Sequence, residues 1–362
     1  MKLYRLDSLR FIAALLVIFV HFRGDIDSTY TNLDSIRSVI VLWIKNGSAG
    51  VSLFLVLSAF LFTVISKGGL LRINYKKYLY NRIIRIFPLL TVVFLIVICI
   101  DRQNSSPIDV LRLIFLQLNT GHEYTGWGHS VFPVGPIWTI AVEFQFYLLF
   151  PLLLVLQKSN GGIRYLMGLC CFLLFIKCLI IGLNGPDQYY NLYHSLIGRL
   201  DQFLVGMIAG LIYLNDRYVL LIKRYAFLFL LVALLALTAY FACFNLLAKA
   251  ISGFQIEAVL FAICIVAYLS IELPANKLGK MLTFIQYYLA ILGRRSFSIY
   301  LLHLMIGTLT LKVYRIEINS ELLGVFLNVF LLVLPATLLI SEFSYRYIEK
   351  PFLNMKARYL ES

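Results

Sequence analysis

The sequence predicts an all-α, polytopic membrane protein, a bundle of about ten transmembrane helices with both termini in the cytoplasm. Composition is the first reason: 61% of the 362 residues are hydrophobic and 14% are charged, where soluble chains carry about 25% charge. Mean hydropathy is +0.86. The second reason is distribution. Apolar runs recur down the whole chain, at 8–22, 49–66, 87–100, 137–156, 165–183, 195–214, 225–246, 256–271, 294–312 and 323–342, separated by short basic or Pro/Gly-containing pieces. The third is charge asymmetry. With the N-terminus inside, 22 of the 32 Lys and Arg fall in cytoplasmic segments, 7 in outer loops, and Lys177, Arg199 and Lys312 within spans. Topology therefore accounts for much of the net charge of +14, and a nucleic-acid partner is not expected. The chain reads as one integral membrane domain over 1–362, multi-pass in the inner (plasma) membrane, without a soluble extracytoplasmic domain. Its six cysteines lie in or beside apolar runs, with neither disulfide nor metal-ligand spacing.

The first run, "RLDSLRFIAALLVIFVH" (5–21), is charged at its start and closes on an imidazole. It has no small-residue cleavage site after it, so it is not a signal peptide. On a helix, Asp7, Arg10 and His21 fall on one face, with Arg10 and His21 ~20° apart in direction and ~16 Å apart along the axis. Asp25, four residues on, is placed to orient the imidazole if the helix continues. A polar stripe inside a bundle points to a functional cavity; the plainer reading is a snorkelling arginine and an interfacial histidine.

Next comes the most basic cytoplasmic segment, "YKKYLYNRIIRIFP" (75–88). Arg82 and Arg85 stand at i, i+3 beside Lys76 and Lys77, and guanidinium forks suit phosphate oxygens. Topological charge alone also explains such a loop. The outer loop 101–136 contains an amphipathic stretch, "PIDVLRLIFLQL", expected to lie on the membrane surface. In "VGPIWTIAVEFQFYLLFPLL" (134–153), Glu143 is a carboxylate inside an apolar span, near Trp138, Gln145 and Tyr147. Such an acid must pair, take a proton or line water.

"GRLDQFLVGMIAG" (198–210) sets Arg199, Asp201 and Gln202 near the outer end of a span. "GRRSFSIYLLHL" (293–304) gives Ser296, Tyr300 and His303 one face at i, i+4, i+7. "SEFSYRYIEKPF" (341–352) puts Glu342, Arg346 and Glu349 on one face, read as an ion-pair ladder, with Pro351 ending the helix.

In this order, these segments resemble the acyltransferase-3 family of integral membrane acyltransferases over residues 4–352. Arg10 and His21 match its first-helix Arg-x10-His signature, and "GVSLFLVLSAFL" (50–61) its second-helix stretch. Arg82 and Arg85 match its Arg-x-x-Arg motif, Trp138 and Glu143 its Trp-Ser-Leu-x-x-Glu segment, and "SFSIYLLH" its late Ser-Tyr-x-Leu-Tyr-x-x-His motif. Two departures stand out. Where the second helix of the family carries an acid and two aromatics before Ser-Gly, this chain has Ser52, Leu53, Phe54 and then Ser58-Ala59. The double acid of the fourth-span motif is Glu143-Phe144.

The resemblance implies a membrane-bound O-acyltransferase. It would move an acyl group, acetyl from acetyl-CoA above all, onto a sugar hydroxyl of a surface polysaccharide (O-antigen, capsule or exopolysaccharide) or its lipid-linked precursor. A sugar hydroxyl is a poor nucleophile until a base removes its proton, and a neutral imidazole supplies that base near pH 7. His21 is assigned that role, with Asp25 or Glu143 orienting it. Arg10, Arg82 and Arg85 would hold the CoA phosphates, and Trp138, Arg199, Ser296, Tyr300 and His303 would contact acyl group or acceptor. No metal and no permanently bound cofactor is expected. The alternatives are a non-enzymatic transporter or glycan flippase, and an acyltransferase acting on a small molecule or lipid.

Overall fold

A computed structural model describes residues 4–24, 26, 33–103, 105–120, 135, 137–244 and 248–361; Asp25 lies outside them. Each of the ten expected spans corresponds to a helix. Among the described residues, eight helices are long and apolar enough to cross a membrane, or nine if a bent pair counts as one span. The remaining expected span falls in α1, Tyr4–His21, which carries Arg5, Asp7 and Arg10 within its 18 residues and is not among those that qualify. The bent pair is α2 (Ile36–Lys45) and α3 (Ala49–Ile65), turning by 66°. Among the described residues the only strands are two-residue pieces, Arg72–Ile73 and Leu360–Glu361. The described chain divides into two compact units.

Unit 1 comprises 1–20, 27–72 and 152–294. Beside most of α1 it holds α2 and α3, then α7 (Gly162–Asn184), α8 (Gln188–His194), α9 (Leu196–Leu214), α10 (Asp216–Arg224) and α11 (Ala226–Cys243). Two more helices follow, α12 (Phe254–Ser270) and α13 (Lys277–Gly293). Lipid tails give helices no hydrophobic reason to associate, so small residues that let backbones approach decide the packing. A Cβ on Gly50 would stand 2.3 Å from the Ala13 carbonyl oxygen, and one on Gly206 2.4 Å from that of Val56. Gly293 leaves a Cβ only 1.7 Å from the Asp7 carbonyl oxygen, so α13 closes against the start of α1. Phe172, Phe175, Phe227 and Leu235 on α7 and α11 are exposed, as hydrocarbon-facing side chains are.

Several buried charges of unit 1 meet partners within it. The fully buried Arg5 donates from Nη1 to the carbonyls of Tyr268 (3.2 Å) and Ile271 (2.7 Å), capping the C-terminal end of α12. Lys177 of α7 and Asp201 of α9 form a 2.6 Å ion pair with both side chains at 0% exposure. Ser52 donates to Glu257 at 2.5 Å and accepts from Gln202 at 2.8 Å. The acid that the resemblance led one to expect at position 52 is thus supplied through space, by α12.

Unit 2 comprises 21–26, 73–151 and 295–362. Its helices are α4 (Tyr75–Ile100), α5 (Pro107–Ile114), most of α6 (Ile137–Lys158), α14 (Ser296–Val313) and α15, one long helical run over Glu321–Leu353. α4 starts well before the apolar run. Asn74 caps it by accepting from the Lys77 amide at 3.2 Å, so the whole basic segment 75–86 is its first three turns. The surface stretch forms α5, opened by a capping box between Ser106 and Asp109.

The ion-pair ladder at the end of α15 is only half formed. Glu342 pairs with Arg346 at 3.2 Å and with Arg295, while Glu349 is 2% exposed and accepts from Ser298 of α14. A π-turn over Tyr345–Glu349 adds a residue to the turn and swings Glu349 off the Glu342 face. Pro351 follows that turn and the helix still runs to Leu353.

Removing one member of a fully buried ion pair strands the other charge, which costs about 3–5 kcal/mol. Asp201→Ala should therefore lower the melting temperature in detergent far more than the double change Lys177→Met with Asp201→Leu, which leaves no charge behind. Equal losses in the two variants, by thermal unfolding, would show that the pair's charges are not what matters at this position.

Candidate active site

Unit 2 gathers His21, Arg82, Arg85, Trp138, Glu143, Ser296, Tyr300 and His303. Its centre is a pair of imidazoles. His303, on α14, is fully buried, and its Nε2 lies 3.1 Å from Nδ1 of His21, the last residue of α1. The two rings are 5.1 Å apart and tilted by 48°.

The hydrogen bonds assign the tautomers. His303 Nδ1 is 2.7 Å from the Tyr300 carbonyl oxygen. A carbonyl only accepts, so this nitrogen carries the proton and donates. Neutral His303 then offers its lone pair at Nε2. His21 must donate to it from Nδ1, which leaves the His21 lone pair on Nε2. A backbone carbonyl therefore sets the protonation of both rings, and the His21 nitrogen remote from His303 carries the lone pair.

The proximal side of this pair continues as a polar line along α6. Thr139, Glu143 and Tyr147 stand at i, i+4, i+8, on one face and ~12 Å from first to last. Thr139 donates to the Tyr300 hydroxyl at 2.9 Å, and Tyr147 donates to Glu143. The Arg82 guanidinium lies 5.5 Å from the Tyr147 ring centre and 5.6 Å from that of Tyr78, within cation–π range. The line thus runs from the imidazoles to the basic first turns of α4.

The C-terminal strand of chain is strapped over those turns. Asn81 is buried, donating to the Ala357 carbonyl at 2.7 Å and accepting from its amide at 2.9 Å. The Asn74 amide donates to the Tyr359 carbonyl at 2.9 Å. This holds Lys356 beside Arg85 and Arg82. Loss of hydration, then repulsion from the two guanidiniums, holds the Lys356 amine down to about 8 from its usual 10.5.

On its distal side His21 lines a cavity of about 510 Å³, with Phe22, Arg23, Arg315, Glu317, Glu321 and Asn328 among its walls. Along α15, Glu321 at the cavity and Glu349, within electrostatic reach of Arg85, are 28 residues apart, ~42 Å of helix. The cavity and the basic cluster therefore belong to opposite ends of the unit.

Two expected site residues sit in unit 1. Arg10 pairs with Asp7 at 2.8 Å. Arg199 is buried, donates from Nε to the Tyr193 carbonyl at 2.9 Å, and stacks 4.1 Å from the Tyr193 ring and 3.8 Å from Phe254. Trp138 and Ser296 are buried in unit 2; Ser298, two residues on, is the serine of that turn seen to bind a carboxylate. His303 sits directly behind His21; Glu143, expected to orient that ring, accepts from Tyr147, and Asp25 lies outside the described residues.

Sequence reasoning missed Thr139, Lys356 and the cavity charges. Thr139 was detectable as the residue one turn before Glu143. Lys356 and Arg315 look like ordinary loop charges until folded. Among the described residues, no cluster of His, Cys, Asp or Glu could hold a metal ion.

The acyltransferase-3 family model, described as an acyltransferase domain, matches residues 3–342. The chain belongs to this family. Its relatives include the Bacillus subtilis protein named "Putative peptidoglycan O-acetyltransferase YrhL", 26% identical over 96% of this chain and 54% of that protein. The peptidoglycan O-acetyltransferase OatA of Listeria monocytogenes is 26% identical over 96% of this chain and 55% of its own length. A Staphylococcus aureus protein named as a putative O-acetyltransferase is 24% identical over 98% and 59%. This acyltransferase-family chain spans little more than half the length of these relatives. No solved structure matches it significantly.

The tautomer assignment has a direct spectroscopic signature. In protein with ¹⁵N-labelled histidine, His303 and His21 should both appear as Nδ1–H tautomers near neutral pH, assigned by comparison with single His variants. His303→Ala should return His21 to a tautomer mixture. An Nε2–H form of His21 in the unaltered protein would contradict the hydrogen-bond order.

Proposed function

We propose that this chain catalyses O-acetyl transfer from acetyl-CoA to a hydroxyl of a cell-envelope glycan, with His21 as general base. The observation that carries the reading is the hydrogen-bonded pair His303–His21, fixed by the Tyr300 carbonyl at the wall of the distal cavity. The acceptor hydroxyl gives its proton to His21 Nε2 as its oxygen attacks the thioester carbonyl. The tetrahedral adduct collapses, the carbon–sulfur bond breaks, and the departing thiolate takes the proton back from His21. While His21 is an imidazolium, its Nδ1–H still donates to His303 Nε2, which stabilises the added charge.

Arg82, Arg85 and Lys356 are the groups best suited to the phosphates of CoA. They stand together where the strap crosses the first turns of α4, and phosphate oxygens favour guanidinium forks. The polar line through Tyr147, Glu143 and Thr139 then marks the way for the pantetheine arm towards the imidazoles. Donor phosphates at one end of unit 2 and acceptor at the other correspond to cytoplasmic and outer faces. That orientation follows from the Lys and Arg asymmetry of the sequence, and the bacterial relatives support a plasma-membrane location. Those named for peptidoglycan support a glycan acceptor.

The base is tested by His21→Ala, which should lower acetyl transfer by about 10²- to 10⁴-fold in protein that still inserts and purifies. Retention of most of the turnover would remove His21 from the chemistry.

The donor cluster is tested by pH. Lys356 is charged below about 8 and neutral above it, so donor KM should rise as pH passes upward through that value. Lys356→Met should have the higher KM throughout and lose this step. Arg82→Ala and Arg85→Ala should each raise donor KM by about tenfold or more, from a lost charge-assisted contact of about 1.5–3 kcal/mol where water is excluded. Lys replacements should recover only part of it. Donor KM unchanged in every variant would end the assignment.

A further inference from the structure

The cavity beyond His21 has a chemistry of its own that the base assignment does not use. We propose that it is the acceptor subsite and that it takes an uncharged saccharide. This rests on the reading of His21 as base, because the bound hydroxyl must reach His21 Nε2.

Three observations give the ligand class. First, the walls carry two guanidiniums, Arg23 and Arg315, and two carboxylates, Glu317 and Glu321. The charges balance, so a polyanion such as CoA finds no net field here, in contrast to the basic cluster at the other end of the unit. A sugar hydroxyl both donates and accepts, and a wall that carries both acceptor-only carboxylates and donor-only guanidiniums satisfies both functions. Second, Phe22 and Ile316 add flat and apolar surface among the charges, suited to the C–H faces of a pyranose ring. An acyl lipid would prefer the unit 1 cavity of about 520 Å³, lined by Val205, Ile212, Phe229, Val259, Ile263 and similar side chains. Third, the wall is built in advance. Asn328 is buried and accepts from the Ile316 amide at 2.9 Å while donating to the Ile316 and Gly324 carbonyls at 2.9 and 2.8 Å. That clamp fixes the residues on either side of Ile316, which are Arg315 and Glu317. Gly24, in the left-handed region at φ +61°, brings its backbone beside the Arg315 guanidinium, where a Cβ would sit 3.8 Å from Nη2. At about 510 Å³ the space is within the usual range for small-ligand sites, ~300–1,000 Å³.

The test is equilibrium dialysis of tritiated chitotetraose against the full chain in detergent micelles, with no acyl donor present. Tetragalacturonate is the charged comparison and a short-chain phosphatidylglycerol the lipid one. Saturable chitotetraose binding is expected, weakened by about tenfold or more in Arg315→Ala and in Glu321→Gln. Arg315→Lys, which preserves charge and folding, should fall between. Absence of saturable binding up to ~10 mM, a typical limit for weak sugar sites, overturns the subsite. So does binding that neither substitution changes, or tetragalacturonate or the lipid binding more tightly than chitotetraose. The two readings fail differently. If chitotetraose binds as expected but His21→Ala still transfers acetyl groups, the base falls and the cavity assignment stands as a binding site. If acetyl transfer to another acceptor depends on His21 while chitotetraose does not bind, the subsite falls and the base stands.

Discussion

The hydrogen bond between His303 Nε2 and His21 Nδ1 is the contact on which the candidate site depends. It is unusual in being settled by a group that cannot vary. The Tyr300 carbonyl accepts and does nothing else, so protons are fixed along the series Tyr300, His303, His21. A carboxylate behind His21 would bring a charge into the bundle and require compensation. A second neutral imidazole orients the first without one. The burial of His303 makes this arrangement cheap to hold, since a buried neutral ring with both nitrogens engaged leaves no polar group unsatisfied.

The same constraint, that polar groups in hydrocarbon need partners, organises the rest of the chain in two ways. In unit 1 the ionisable groups close on one another or on backbone: Lys177 with Asp201, Arg5 on the end of α12, Arg199 between two aromatic rings, and Glu257 with Ser52. These contacts tie helices together. In unit 2 they form a line, from Arg82 through Tyr147, Glu143 and Thr139 to the two histidines and the cavity. Closed pairs serve packing, whereas the polar residues of unit 2 are spaced a turn apart along α6, between the basic turns of α4 and the imidazole pair.

Residue 52 illustrates how such networks tolerate change. A serine stands where the family pattern suggested an acid, and Glu257, on a helix remote in sequence, brings a carboxylate against its hydroxyl. Gln202 completes the contact. The carboxylate beside residue 52 thus comes from α12.

The sequence by itself determined the class of fold, because the hydrophobic length needed to span a bilayer and the bias of Lys and Arg are local quantities. All ten expected spans correspond to helices. It also identified Arg10 and His21 as one stripe, Arg82 and Arg85 as neighbours, and Tyr300 and His303 as one face, since helical spacing is arithmetic on residue numbers. Only the tertiary structure decided which stripe meets which. His303 came behind His21, Thr139 reached Tyr300 from another helix, and the C-terminal strap brought Lys356 to Arg82 and Arg85. These pairings depend on how helices pack, and packing in a bilayer turns on small residues such as Gly50, Gly206 and Gly293. The register of Glu349 was likewise decided by a π-turn, whose extra residue carried it from the expected ladder to Ser298. Helical arithmetic reads one helix at a time and holds only while its register does; the site needed several helices and a break in one.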